Sequence, residues 1–423
     1  MALFSRTSAF SRVTALAAHR PLHGAFAWLH NNPKLMMNWQ AELVAIPAPP
    51  FGEAVRSAWL AERFQEFGLS RVETDEIGNV TGMLPATLLP PESTGPIIVV
   101  SAHLDTVFPA ETSLVPMTTQ QDGFYRLEAP GACDNASGII GMLALAHAIR
   151  EAGIELPAPL LMLGNVGEEG EGDLRGMRHF YQRSLYASRV AAHIVLDGAG
   201  ADSAVTQALG SRRFEITVTG PGGHSFTDAG TPNPIVALAS ALDVLAKTAV
   251  PSEPRTTLNI GTIRGGTSVN SIPESAAASV DFRSTSTAEL TRLEVTLHRA
   301  VEDSVEQWNA HAKESGTRLR GALRYSIRAI GDRPAAMLPM DSPIMDALRS
   351  VDRHLGIATE MRLGSTDANI PISLGLPALS MGAGGEGGGA HTLAEWYTDK
   401  ARDLGLRRVL LLAVTLADWA SEQ

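Results

Sequence analysis

Cysteine is almost missing from this chain of 423 residues: only Cys133 is present, so no internal disulfide framework can form. A reducing, cytoplasmic setting is expected on that ground. No run of about 18 apolar residues occurs, so no membrane-spanning helix and no membrane partner are expected. Basic residues are outnumbered, 34 Lys and Arg against 45 Asp and Glu for a net charge of -11, which argues against a nucleic-acid partner. Disorder is excluded by 44% hydrophobic residues, and no collagen-like or heptad bias is present. The length exceeds what one hydrophobic core usually fills, so two domains are expected. Residues 1–41 carry Arg6, Arg12 and Arg20 and no acid before Glu42, a faint likeness to a transit peptide. The spacing of Leu16, Leu22, Phe26 and Leu29 is closer to that of an ordinary N-terminal helix.

Four short apolar runs read as buried strands: Pro96 to Ser101, Leu160 to Asn165, Ala192 to Leu196 and Pro377 to Met381. Helical patterns at Ala54 to Phe67, Ser137 to Ala152 and Gly176 to Ser184 separate them, and Ala401 to Trp419 closes the chain. That alternation predicts an α/β domain with a mainly parallel sheet. Between the third and fourth runs the texture changes. Strand patterns at Arg212 to Thr219, Thr256 to Arg264, Ser275 to Ser284 and Arg318 to Ala329 alternate with helices Pro234 to Thr248 and Thr287 to Ala312. The order is βαββαβ, a ferredoxin-like pattern. It predicts an inserted domain over 210–329 between two parts of the first domain, 1–209 and 330–423, with hinges at Gly210 and near Ile330.

Chemistry-bearing residues follow the apolar runs of the first domain: His103 and Asp105, then Glu168 and Glu169, then Asp197, then His391 beyond a glycine-rich loop. Asp134 opens a helix. Open α/β sheets bind ligands outside the carboxyl ends of their strands, so these groups are expected at one sheet edge. Each alone reads as a cap or an ion-pair partner; as a set they need positive charge to be desolvated together. Two divalent ions would supply it. Imidazole with carboxylate suits zinc, and also manganese or cobalt. The Glu168-Glu169 doublet offers one ligand and one proton-accepting base, and the chemistry is hydrolysis of an amide or ester.

The segments Ser101-Ala-His-Leu-Asp-Thr-Val107, Gly131-Ala-Cys-Asp-Asn-Ala-Ser-Gly138, Gly167-Glu-Glu-Gly170, Val195-Leu-Asp197 and Ala390-His-Thr-Leu-Ala-Glu-Trp396 recur here in a telling order. Ile46 to Glu53, Gly220-Pro-Gly-Gly-His-Ser225 and Gly265 to Pro273 accompany them. With them the chain resembles the di-zinc peptidase and deacylase family of peptidase T, aminoacylase, acetylornithine deacetylase and the glutamate carboxypeptidases. The resemblance implies that His103 and Asp197 bind one metal, that Glu169 and His391 bind the other, and that Asp134 bridges them ahead of a cis bond to Asn135. It implies Glu168 as general base, Asp105 as the group orienting His103, and His224 as oxyanion stabiliser, contributed in dimers by the partner subunit. Asn270 matches a substrate-binding asparagine, and Arg283 and Arg333 are candidates for a substrate carboxylate. Gly364 to Asn369 is expected to line the pocket. The inserted domain would act as lid and homodimer surface. The substrate would be a small peptide cut near its free amino end, as by peptidase T. The alternatives are a carboxypeptidase or N-acyl-amino-acid deacylase, or an inactive binding protein on the same fold.

Other features carry less. Gly382 to Gly389 lacks the Gly-Lys-Ser/Thr of a phosphate loop and is expected to let the backbone pass close to the metals. Cys133 reads as packing, His147 as core or boundary. His193 lies about 13 Å from Asp197 at strand rise, too far to share an ion. His224-Ser225 is not a triad, so no serine hydrolase is expected.

Overall fold

The computed structural model describes residues 8–85, 94–314 and 321–423. The chain separates into two compact units, with the boundaries after Ala208 and after Ala336. Arg6 lies outside the described residues.

In the first unit the four apolar runs form adjacent strands. Leu160–Asn165, Ile97–His103, Val190–Leu196 and Ala378–Met381 run parallel in that order. Ile97–His103 is buried along its whole length, because helices cover both faces and leave no polar side to alternate with. Ala136–Glu151 and Arg402–Ala420 pack on it. Met177 and Phe180 of helix Arg175–Arg183 join Ile97, Val99, Leu161 and Leu163 in a core cluster. Antiparallel neighbours widen the sheet, Val80–Leu84 on one side and Ser203–Ala208 on the other. This is the α/β architecture expected, and no described helix is long and apolar enough to cross a membrane.

The N-terminal segment is helical as its spacing indicates, but as three helices, Ala9–Ala17, Arg20–Asn31 and Pro33–Val44. Pro21 and Pro33 sit in the first turns of the second and third, where a missing N–H costs nothing. His147 stacks on Trp28 at 4.4 Å and meets Phe67 edge-on, a packing role. His193 is fully buried between the Tyr181 hydroxyl, 2.7 Å from Nδ1, and Ser101 Oγ, 2.8 Å from Nε2. Burial pushes its pKa down to about 3, so it stays neutral.

A second, antiparallel sheet in this unit has no counterpart in the sequence reading: Glu386–Gly388, Trp396–Thr398, Phe124–Glu128 and Met117–Gln121. It corrects the glycine-rich stretch, in which Glu386–Gly388 is strand rather than loop. Its glycines answer to close neighbours other than the metal-ligand candidates. A Cβ on Gly387 would fall 2.4 Å from Cys133 Sγ, and one on Gly388 2.9 Å from the Trp396 indole nitrogen.

The second unit is the βαββαβ fold. Its antiparallel sheet has the order Thr256–Gly265, Ser275–Ser284, Gly210–Thr219, Arg324–Arg333. Phe214, Ile216 and Val218 face helices Pro234–Ala246 and Thr287–Glu314 through Leu238, Leu242, Leu245, Leu293 and Leu297. The intervening Arg213, Glu215 and Thr217 alternate onto the other face. Residues 318–320 of the expected last strand lie outside the described residues. The strand runs on to Arg333 through a register shift between Ala329 and Gly331. The stretch near Ile330 is therefore a bulge within a strand, not a hinge.

Candidate metal centre

His103 is the last residue of its strand and pairs in register with Asn165, the last of the neighbouring strand. Leu196, also a strand end, leads into Asp197. The parallel sheet therefore delivers three chain segments to one edge. His103 is 2% exposed, and its Nδ1 donates to the Asp105 carbonyl at 3.1 Å. That fixes the lone pair of a neutral imidazole on Nε2, which faces Asp134 Oδ1 at 3.1 Å and lies 3.9 Å from Asp197 Oδ1. Across the site, His391 Nε2 lies 3.1 Å from Asp134 Oδ2 and 3.0 Å from Glu169 Oε1. Each oxygen of Asp134 thus faces one imidazole.

Asp105 meets the His103 Nδ1 side chiefly through its backbone carbonyl. Its carboxylate is 3.7 Å from Nδ1, farther than its own backbone carbonyl. Its two oxygens also accept the N–H of Glu168 at 3.0 Å and of Glu169 at 2.7 Å. One buried carboxylate fixes the backbone of the whole doublet. The Asp134–Asn135 bond is cis. Asn135 Nδ2 donates to Leu196 O at 2.9 Å while its Oδ1 accepts from Gly138 and Gly198 N–H, joining the strand end to the start of helix Ala136–Glu151.

The sequence reading missed the groups that hold the Asp134 loop. Glu395, 1% exposed, accepts from the N–H groups of Gly131, Cys133 and Asp134, each at 2.8 Å. Arg56, buried, ties Ile46 O to Leu104 O, and burial brings its pKa down to about 10. Asp367, fully buried in the expected pocket segment, accepts from Asn165 Nδ2 at 2.7 Å; burial, then Glu168, raises its pKa to about 8. No spacing signal marks Arg56. Glu395 lay inside a matching motif without an assigned role. Replacing Glu395 by alanine removes the acceptor of three N–H groups, two of them buried, and is expected to lower the unfolding free energy by about 3 kcal/mol. Urea unfolding of the variant checks this, and a wild-type midpoint would show that the loop holds itself.

The charge balance of the cluster decides what it can hold. Burial, then Glu168 and Asp134, pushes Glu169 above the ordinary carboxylate range. Asp134 holds the His391 imidazole well up. Burial opposes a charge on His103, yet Asp105 and Asp134 outweigh it and raise its pKa. Left to themselves these groups take up protons to balance the carboxylates. Lone pairs of His103 Nε2 and Asp134 Oδ1 that face each other call for a cation between them. Among the described residues, three groups of donors could hold an ion: His103, Asp134 and Asp197; Asp134, Glu169 and His391; and His103, Glu168 and Glu169, each with atoms within 4.8 Å. The first two share Asp134, and imidazole with carboxylate fits a pair of divalent ions.

His224, Asn270, Arg283 and Arg333 all belong to the second unit. His224 Nδ1 accepts from the N–H of Phe226 and Thr227 at 3.2 and 3.3 Å, which leaves Nε2 to carry a proton outward. The short ladder pairing His224 with Ser271 sets Asn270 beside it, and Asn270 O accepts from Ser225 N–H. Arg283 Nε donates to Asp281 at 2.8 Å, an ion pair along its own strand. Arg333 is buried opposite Ser211, which also pairs with Arg283.

Residues 99–414 match the profile of peptidase family M20/M25/M40. A probable carboxypeptidase of Aspergillus flavus is 29% identical over 208 residues, 46% of this chain and 47% of its own. One of Aspergillus terreus is 32% identical over 204 residues, 45% of each. The chain thus spans about half the length of the curated relatives it matches. A tripeptidase from Staphylococcus aureus superposes with a TM-score of 0.70 at 22% identity, covering 93% of this chain and 99% of that one. The aminopeptidase PepT of Bacillus cereus gives 0.70 at 21%, with 91% and 99% covered.

Proposed function

The chain belongs to peptidase family M20/M25/M40, and from that premise we propose that it hydrolyses a peptide bond beside a free terminal carboxylate in small peptides. The observation that carries the reading is Asp134, one oxygen toward His103 and the other toward His391. In this reading His103 and Asp197 hold one ion, Glu169 and His391 the other, and Asp134 joins them, with zinc the first choice. Two such ions would polarise the scissile carbonyl and acidify the attacking water. Glu168, its backbone fixed by Asp105, takes that water's proton and passes it to the leaving nitrogen. His224, with its proton on Nε2, is the proposed donor to the developing oxyanion. Arg283 and Arg333 are the candidates for the substrate carboxylate, because a planar guanidinium suits a bidentate contact. A homodimer through the second unit is proposed on the exposed Ile235, Val236 and Val244 of its helix and Ile263 of its edge strand.

The sequence alone leaned to the free amino end. The carboxypeptidase relatives, similar in sequence over half the chain, support the other end better. The tripeptidase and aminopeptidase structures, at 21–22% identity, speak for the fold. End-blocked peptides test the choice. Amidation of the carboxyl end is expected to lower kcat/KM at least about a hundredfold, because the charge-assisted contact between carboxylate and guanidinium is lost. Acetylation of the amino end should leave turnover in place. The reverse pattern would assign cleavage to the amino end.

A further inference from the structure

A turn in the first unit carries an aromatic ring where its backbone asks for glycine. Gly52 N–H donates to Pro49 O at 2.8 Å, closing a β-turn whose third residue, Phe51, has φ 71°. A type II turn needs that left-handed conformation, and glycine or asparagine normally supplies it. For a bulky side chain it is an unfavourable outlier, of the kind that persists where function holds it. Burial does not account for it, since Phe51 is 67% exposed.

One face of the ring is occupied. The Arg175 guanidinium lies 4.8 Å from its centroid. Arg175 is itself immobilised: Nη2 donates to both oxygens of the buried Glu53 at 2.7 Å, and Nη1 to Ile77 O at 3.1 Å. Its stem lies against Gly167, where a Cβ would come within 2.6 Å of Arg175 Cγ. Gly167 directly precedes Glu168. The stretch beyond is also left-handed at Asp173 (φ 49°) and Leu174 (φ 61°). On the other side of the turn, Ala48 O accepts from Thr106 N–H at 2.8 Å, fixing it to the loop after His103. Ring, guanidinium and Gly167, the residue before the base, thus lie one against the next within the first unit.

Resting on the peptidase reading, we propose that the open face of Phe51 is a specificity platform. It receives an apolar or aromatic side chain of the peptide, next to the bond that Glu168 helps to break. A ring braced from below offers flat apolar area with little ordering entropy left to lose, and aromatic partners gain stacking as well. A glycine at the same substrate position gains neither.

The test uses peptide pairs differing only in Leu or Phe against Gly at each position beside the scissile bond, with wild type, Phe51→Gly and Phe51→Trp. In Phe51→Gly the Leu-to-Gly ratio of kcat/KM is expected to fall about tenfold at one of the two positions. Its melting temperature should hold or rise, because glycine suits the turn. Phe51→Trp should keep the ratio. If the ring merely covers the Arg175–Glu53 pair, the glycine variant melts lower and every ratio stays constant, which overturns the proposal. Failure of the peptidase reading shows elsewhere, as a wild type that cleaves none of the peptides. Calorimetric binding of the same pairs then decides, and equal affinities in wild type and Phe51→Gly would overturn the platform.

Discussion

Glu168→Gln is expected to lower kcat by about 10²–10⁴-fold while the protein keeps its metal, because the amide has the shape of the acid but cannot take a proton. One contact that places residue 168 is its backbone N–H to Asp105, which glutamine retains. The side chain is 5% exposed, so bulk water is a poor substitute base at that point. Metal analysis of the purified variant beside its steady-state rates separates the two possible losses. A variant with metal and wild-type turnover would remove Glu168 from the mechanism. A variant that loses its metal would make residue 168 a ligand, as its grouping with His103 and Glu169 allows.

The larger effect is expected at Asp134, whose replacement by alanine should bring activity to background and empty the centre. Two imidazoles face this one carboxylate, at 3.1 Å each, so its removal affects both donor groups at once. Loss of an outer hydrogen-bonding partner of a metal ligand typically costs 10–100-fold in affinity, and loss of a shared ligand should exceed that. Asparagine, which keeps one good oxygen donor, should retain more metal than alanine. Two equivalents of zinc on the alanine variant would show that the sites do not share Asp134.

Much of this was legible before any coordinates. Strands buried on both faces are continuous apolar runs, and the residues that follow them project from one sheet edge, so His103, Glu168, Glu169 and Asp197 could be gathered from order alone. What could not be read depends on which atom meets which. Asp105 stands two residues after His103, which suggests an imidazole partner; only the fold shows its carboxylate turned to the Glu168 and Glu169 N–H groups. Glu395, 261 residues from Asp134 in sequence, holds that residue's N–H with no pattern to announce it. The small antiparallel sheet was hidden because Met117–Gln121 is exposed throughout and Glu386–Gly388 is mostly glycine, so neither shows a two-residue apolar period. The bulge after Ala329 imitated a hinge for a related reason: it breaks the alternation without ending the strand.

The position of strand Ala378–Met381 has a consequence for the order in which the molecule is made. It lies inside the large sheet, against Val190–Leu196 on one side and Ser203–Ala208 on the other. A chain emerging from the ribosome completes all of Leu209–Ala336, a unit with its own core, before that strand exists. The first two hundred residues must wait with a gap in their sheet, and His391 and Glu395 arrive later still. A nascent chain therefore cannot assemble the proposed metal centre until the segment carrying His391 has been made.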